Sequence, residues 1–459
     1  MVNMPTFAPI TMSYEGRDMI LRIAFISLGC SKNLINTEQM MALCQKAGHT
    51  VTGEPEGADV CVLNTCGFID AAKSEAIEHI IALGELKEAG KLGKLLVCGC
   101  LTQRYREEIR TELPEVDGML GTGSYDQVVS ACETLLQGER PEAFGDISHT
   151  DEEGERLVTT PPYTAFLKIA EGCDNFCAFC IIPYLRGRYR SRPMEAVLAE
   201  AKELADRGVQ ELILIAQDTG RYGKDLYGEK KLPELLKELC KLPFHWIRVH
   251  YIYPEHLSDS LLDVMAQEPK LVKYLDIPLQ HCNGTLLKRM NRWGDREKLC
   301  KLIETLRQRI PGLVLRTSLI CGLPGETEEM FEELCGFLAQ TGIERAGVFP
   351  YSREEGTRAA KMENQVPEEV AQQRVDRLVE IQSRVLDKYN ESRLGTVMEV
   401  LCEGFDEEMG CFAGRTYADS VEVDGRVYFT AAGTVPAGKF VPVRLTGVVD
   451  GDLMGEVEE

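Results

Sequence analysis

Cys173, Cys177 and Cys180 stand at the spacing C-x3-C-x2-C within the run EGCDNFCAFCIIPYLRGRYRSR. Three thiolates this close together can bind three of the four irons of a 4Fe–4S cube, which leaves the fourth iron without a protein ligand. An open metal position marks a site built to bind and activate something, as it does at catalytic zinc. The competing occupant, a structural zinc knuckle, needs a fourth ligand nearby. No fourth cysteine follows closely, and His245 and His250 lie far along the chain.

Three other cysteines gain meaning from the elements around them. From Leu21 onward the short apolar runs LRIAFISLG, ADVCVLN, KLLVCG and DGMLG alternate with helical periodicity near 34–48, 70–88 and 101–111. That alternation predicts a doubly wound parallel sheet with helices on both faces. Cys30 follows the first predicted strand, Cys66 the second and Cys100 the third. Ligands in such folds gather outside the carboxyl ends of the strands, so these thiols are expected to converge as a second cluster site. The bland alternative is three small apolar residues at strand ends. Cys61 and Cys98 show that strand cysteines are common here, and Cys98 and Cys100 alternate onto the same strand face. The pattern alone leaves the choice between those two open. Cys44, Cys132, Cys240, Cys300 and Cys335 fall inside helical patterns and read as core.

A chain of 459 residues has room for two or three domains and a large core. Its 44% hydrophobic and 27% charged residues are ordinary for a soluble protein. The opening MVNMPTFAPITMSYEGRD lacks a basic start followed by an apolar run, and its role is unassigned. No window approaches the ~18 unbroken apolar residues of a spanning helix, so a cytoplasmic protein without a membrane partner is expected. In a reducing cytosol the 17 cysteines serve as metal ligands, nucleophiles or core rather than as disulfides. The net charge of −22 repels phosphate backbones and favours basic partners. Charge runs such as Asp151-Glu152-Glu153 are by themselves only solvated surface.

The composition divides the chain into an N-terminal domain at 21–137, a linker at 138–160, a central domain at 161–392 and a C-terminal domain at 393–459. The linker is rich in charge, Gly and Pro and lacks apolar periodicity. Strands in the central domain are expected at TAFLKIA, ELILIA, WIRVHYI, YLDIPL, LVLRTSLI and AGVFPY. Helical patterns intervene near 193–207, 232–241, 257–267, 295–309 and 326–341, and a long amphipathic helix runs from Pro367 to Ser392. Six such units predict a partial (β/α)6 barrel whose chemistry sits at the strands' carboxyl ends, where the triple-cysteine loop falls. The last domain reads as a small all-β barrel of the oligonucleotide-binding kind. Its 13 acidic and 5 basic residues make a poor footprint for RNA.

The motifs LGCSKNLINTE, NTCGFI and GCLTQRY, the triple-cysteine loop with Phe179 before its last cysteine, and GRTYADSVEVDG occur together. In that combination the chain resembles the radical S-adenosylmethionine (radical SAM) methylthiotransferase family from Leu21 to about Gly451. The resemblance implies a methylthiotransferase N-terminal domain, a radical SAM core and a terminal TRAM domain. It assigns Cys30, Cys66 and Cys100 to an auxiliary 4Fe–4S cluster, taking Cys100 over Cys98 because the matching motif is GCLTQRY. It assigns Cys173, Cys177 and Cys180 to the cluster whose free iron binds SAM. Two SAM molecules are spent per turnover, one as methyl donor and one as radical source.

The family has two arms. One modifies adenosine in tRNA; the other adds a methylthio group to the β-carbon of an aspartate in a basic ribosomal protein of the small-subunit decoding centre. The runs IIPYLRGRYRSRP and AQDTGRYG, and the TRAM acids Asp419, Glu422 and Asp424, resemble the second arm, although Val421 stands where that arm often carries Pro. An RNA-binding TRAM domain would be basic along its exposed face instead. The expected partners are the ribosomal protein, free or in the ribosome, an electron donor and a sulfur donor; tRNA is not expected. The alternatives are the tRNA arm and, from another class, an iron–sulfur carrier or electron-transfer protein. An unactivated C–H bond has no acidic proton to remove, so the chemistry falls to cofactors and the protein orients and shields. Gln217 and Arg316 are candidate SAM contacts, though a strand arginine can equally pair with a core carboxylate. The turn Cys321–Thr327 (CGLPGET) resembles the one that receives the adenine.

Overall fold

The computed structural model describes residues 20–148, 154–421 and 423–458. The opening leader, the run Asp151-Glu152-Glu153 and Glu422 lie outside the described residues. Six parallel strands form the N-terminal sheet: β1 (Arg22–Ser27), β2 (Thr50–Thr52), β3 (Val60–Thr65), β4 (Lys94–Gly99), β5 (Gly118–Leu120) and β6 (Glu142–Ala143). Their order is β2-β1-β3-β4-β5-β6. Every residue of β3 is buried, because helices cover both faces and no polar alternation is needed. Ala76, Ile80 and Leu83 of the helix Asp70–Glu88 pack on one face. Met40 and Cys44 of the helix Ser31–Lys46, with Cys132 of Val128–Leu136, pack on the other. The edge strands β2 and β6, three and two residues long, are too short to leave a sequence pattern. The strand order switches direction between β1 and β3, which opens a crevice at their carboxyl ends.

The central domain carries β7 (Thr164–Lys168), the short antiparallel ribbon β8 (Ala170–Glu171) and β9 (Arg190–Ser191), then β10 (Glu211–Ile215), β11 (Trp246–Val249), β12 (Tyr274–Asp276), β13 (Val314–Cys321) and β14 (Arg345–Pro350). The main strands are parallel in two threes, β7-β10-β11 and β12-β13-β14. Backbone bonds from Ile247 N to Lys270 O (2.8 Å) and from Ile252 N to Asp276 O (2.9 Å) join them into one open arc. The expected six-unit partial barrel is present, with outer helices at Met194–Asp206, Leu232–Leu239, Asp259–Gln267, Arg296–Arg309 and Glu328–Thr341. The ribbon β8–β9 brackets the triple-cysteine loop. Among the described residues no helix is long and apolar enough to cross a membrane.

The C-terminal strands β15 (Val397–Asp406), β16 (Cys411–Arg415), β17 (Val427–Thr430), β18 (Phe440–Val449) and β19 (Asp452–Val457) close into a barrel in the order β15-β16-β17-β19-β18. The loop after β16 reaches into the open side of the central arc. Asp419 pairs with Arg345, the Tyr274 hydroxyl donates to Asp424 at 2.6 Å, and His250 Nε2 meets Ser420 Oγ at 2.8 Å. Val421 packs with Phe166, Ile213, Ile215 and Ile35. Asp419 and Asp424 therefore do not lie on an exposed face. They are internal struts, placed there because the arc's interior arginines need counter-charges.

Glu211 anchors the same contact. It receives Arg415 Nη2 at 2.7 Å and Arg248 Nε at 3.1 Å, and all three side chains are buried. Burial alone would raise its pKa, but Arg415 and Arg248 bring it down to about 2. Glu211→Gln leaves the buried Arg248 without a carboxylate and Arg415 with Glu403 alone, and should cost about 3–5 kcal/mol at pH 7. The folded pKa lies below the unfolded one, so this stability is present above about pH 4.5 and fades as pH falls towards 2. Urea melts of wild type and Glu211→Gln should converge over that window; curves separated equally at every pH would refute the assignment.

Candidate functional site

Cys30, Cys66 and Cys100 follow β1, β3 and β4 directly, and the glycines beside them bring their loops into contact. Gly29, at φ 83°, packs so closely that a Cβ there would lie 2.6 Å from the Cys66 Cβ. A Cβ on Gly67 would lie 3.0 Å from the Cys100 carbonyl carbon. Asn33 ties the two loops, donating to Leu28 O and Thr65 O at 3.0 Å each. Cys98 instead faces the hydrophobic layer beneath the helix Ser31–Lys46. Cys100 is buried, Cys66 half-buried and Cys30 open to solvent, although protein groups crowd around it, as they would on a cleft wall.

One cation dominates this corner. Arg186 is buried and donates to Asn36 Oδ1 at 2.9 Å, to Glu171 Oε2 at 3.1 Å and to Asn33 Oδ1. Burial works to raise the Cys30 thiol, yet Lys32, Arg186 and the backbone N–H groups of Asn33 and Lys32 outweigh it and hold the thiol below its ordinary value. Burial dominates at Cys66, pushed up to about 12, and at Cys100, which is also raised even though Arg186 hydrogen-bonds it. A thiol with a high free pKa gives up its proton when a metal takes the sulfur, so burial is compatible with ligation.

The second set sits on the loop after β8. Cys173 and Cys177 are buried and Cys180 is half-buried. The loop is clamped from the segment after the helix Gly284–Arg289: Ala178 N donates to Met290 O at 2.9 Å and Asn291 Nδ2 to Asn175 O at 2.8 Å. Arg292 Nη1 approaches Cys177 Sγ at 3.6 Å, and its guanidinium lies 4.0 Å from the Tyr253 ring centre. The Tyr253 hydroxyl stands 3.8 Å from the same sulfur. Asn175 and His256 both hold Asp218, at 3.1 and 2.8 Å. Among the described residues no three acidic, histidine or cysteine side chains converge tightly enough for a single ion. A cube spreads its three thiolates over three irons, so it asks for a wider set than a single ion does.

The two triads are neighbours. Ile181, next to Cys180, packs with Leu185 against Cys100. Tyr251 stands within electrostatic reach of Cys30 from one triad and Cys180 from the other. Burial pushes its hydroxyl up to about 12. Gln217 donates to Glu171 Oε1 and keeps its own buried Oε1 unpartnered at the end of β10. Arg316 pairs with Asp276 at 2.9 Å and faces Asp424 at 3.9 Å, the carboxylate pairing that a strand arginine can make. In the turn Cys321–Thr327, Glu326 accepts from Gly322 N at 2.7 Å and Leu323 N at 3.1 Å, and Thr327 caps the next helix. Arg188 is exposed, but Arg186 and Arg192 are buried. The signal available was their closeness to the cysteine loop; their burial was not legible.

Residues 167–338 match the radical SAM superfamily model, 22–121 the model described as uncharacterized protein family UPF0004, and 394–457 the TRAM domain. The chain is 48% identical over 440 residues to "Ribosomal protein uS12 methylthiotransferase RimO" of Lachnoclostridium phytofermentans, covering 95% of this chain and 100% of that protein. The protein of the same name from Symbiobacterium thermophilum is 46% identical, covering 100% and 95%. The one from Clostridioides difficile is 44% identical, covering 95% and 99%. Among solved structures, the radical SAM methyltransferase TsrM of Kitasatospora setae, with cobalamin and a 4Fe–4S cluster bound, aligns at TM-score 0.54 and 12% identity over 72% of each chain. That likeness concerns the fold.

Proposed function

This chain belongs to the RimO family of radical SAM methylthiotransferases, and from that membership we propose that it adds a methylthio group to the β-carbon of an aspartate in ribosomal protein uS12. In this reading residues 21–137 form the methylthiotransferase domain, 161–392 the radical SAM core and 393–459 the TRAM domain. Cys30, Cys66 and Cys100 hold the auxiliary 4Fe–4S cluster; Cys173, Cys177 and Cys180 hold the one that binds SAM. The observation that carries the reading is the packing of Ile181, next to Cys180, against Cys100, because two open iron positions are useful to one reaction only if they share one space.

When bound, the clusters and SAM supply the methyl group, the sulfur and a radical able to take an unactivated hydrogen. The protein's own residues do the rest. Arg186 offsets the negative charge of the thiolates around the auxiliary site. Arg292 and Tyr253 fix the orientation of Cys177, and the Asn291 and Met290 contacts hold the loop that carries it. The C-terminal loop fills the open side of the arc and keeps water from entering from below. The net charge of −22 supports a basic protein substrate over tRNA, and the reaction draws on an electron donor and a sulfur donor in the cytoplasm.

The test is an anaerobic assay with reconstituted protein, reductant, sulfide and SAM, offered a uS12 peptide carrying the target aspartate alongside unmodified tRNA. Mass spectrometry should find the methylthio group on the peptide. Addition to tRNA alone would overturn the substrate assignment while leaving the radical chemistry standing.

A further inference from the structure

Beside Cys30 two polar groups meet that have no hydrogen-bond partner among the described residues. Lys32 is one residue into the helix Ser31–Lys46, beside Cys30, and its ammonium lies 4.5 Å from the ring centre of Tyr251. Among the described residues neither the Lys32 ammonium nor the Tyr251 hydroxyl makes a hydrogen bond or ion pair to a protein group. The carboxylates below them are already committed: Asp276 to Arg316, Asp424 to Tyr274. His250, which feels Lys32, is kept neutral by burial and by Arg248, Arg316 and Lys32. Among the described residues the Lys32 ammonium has no carboxylate partner, and its charged neighbour on this side is the Cys30 thiol.

The backbone at Tyr251 shows that its placement is enforced. Its φ is 57°, in the left-handed region that bulky residues avoid. Such strain persists where neighbours over-determine it. Here Thr219 does so, donating its N–H at 2.9 Å and its hydroxyl at 3.0 Å to the Tyr251 carbonyl. Tyr251 is 37% exposed, and its ring meets Lys32, two residues from Cys30.

We propose that Lys32 and Tyr251 form the recognition site for the carboxylate of the target aspartate. This inference rests on the protein-aspartate reading above and deepens it. An ammonium and a phenol O–H are two donors suited to one carboxylate. The carboxylate is one bond from the β-carbon, so gripping it there holds that carbon between the two iron sites. The Tyr251 ring also fixes the ammonium by cation–π attraction before substrate arrives. Lys32 and Tyr251 are specificity-determining residues in this scheme, and the carboxylate form of the substrate is what they select.

The experiment measures binding without turnover. Full-length protein with both clusters reconstituted, without reductant, is titrated with a uS12 peptide carrying the target aspartate and with the same peptide carrying asparagine. Wild type should bind the aspartate peptide about tenfold more tightly, as expected for one charge-assisted contact. Lys32→Met should bind both peptides alike, while Lys32→Arg should restore part of the preference; Tyr251→Phe should narrow it. Iron content and the electronic spectra are read on each variant. A Lys32→Met protein that keeps both clusters and the full preference overturns the inference alone. A variant that loses iron from the auxiliary site also overturns it, because the cation then serves the cluster. Wild type that binds neither peptide overturns the substrate reading, and this inference with it.

Discussion

Cys66→Ala should abolish methylthio transfer while reductive cleavage of SAM remains measurable. The loss is complete rather than partial because a cube held by two thiolates lacks the ligation that keeps it assembled. Cys66 is also the middle of its set: Gly29 packs against it, and Gly67, the next residue, packs against the backbone of Cys100 and Leu101. The other triad is fixed separately by Met290, Asn291 and Arg292, so it should survive the change. The check is paired product analysis by mass spectrometry, methylthio peptide in one channel and 5′-deoxyadenosine in the other, with iron counted per chain. Cys177→Ala should abolish both products. Full-rate methylthio transfer by Cys66→Ala would falsify the two-cluster assignment.

Arg186→Met is expected to have the next largest effect. Although burial alone would raise it, Arg186 and Lys168 hold the Glu171 carboxyl well below the usual carboxylate range. Removing the guanidinium leaves that carboxylate with Lys168 at 3.0 Å and strips the side-chain oxygens of Asn33 and Asn36 of a donor. A buried pair broken on one side costs about 3–5 kcal/mol. The same change removes the cation that helps keep Cys30 low and that hydrogen-bonds Cys100. The expected result is a lower melting temperature together with loss of roughly half the bound iron, as the auxiliary site empties first. Arg186→Lys should recover charge but not the fork that reaches Glu171 and both asparagines at once, and so should recover iron only in part. If Arg186→Met loads both sites and melts like wild type, the guanidinium is not what holds this corner.

Much of the architecture was legible because it follows from local pattern. Alternating apolar runs and helical periods predicted both α/β units and the closing β-barrel, since each element must bury one face or stripe. The two cysteine sets were also legible, for different reasons. Cys173, Cys177 and Cys180 announce themselves by spacing. Cys30, Cys66 and Cys100 do so only through the rule that strand ends of a doubly wound sheet converge. That rule could not separate Cys98 from Cys100. The fold does, because Cys98 lies under a helix within the core and Cys100 begins the helix that follows.

The amino-acid sequence by itself determined the elements, their order and which thiols are candidate ligands, because these depend on residue type and on neighbours a few positions away. Tertiary structure alone decided which charges meet. Arg186 joins Glu171, 15 residues away, to Asn33, 153 residues away. Arg415 reaches Glu211 across 204 residues. Asp419 and Asp424 of the last domain look like surface in the sequence and turn out to be struts inside the arc. Lys32 and Tyr251, 219 positions apart by their numbers, have no pattern that links them. Side-chain electrostatics acts through space over a few ångströms, and only the folded chain sets which groups fall within that range.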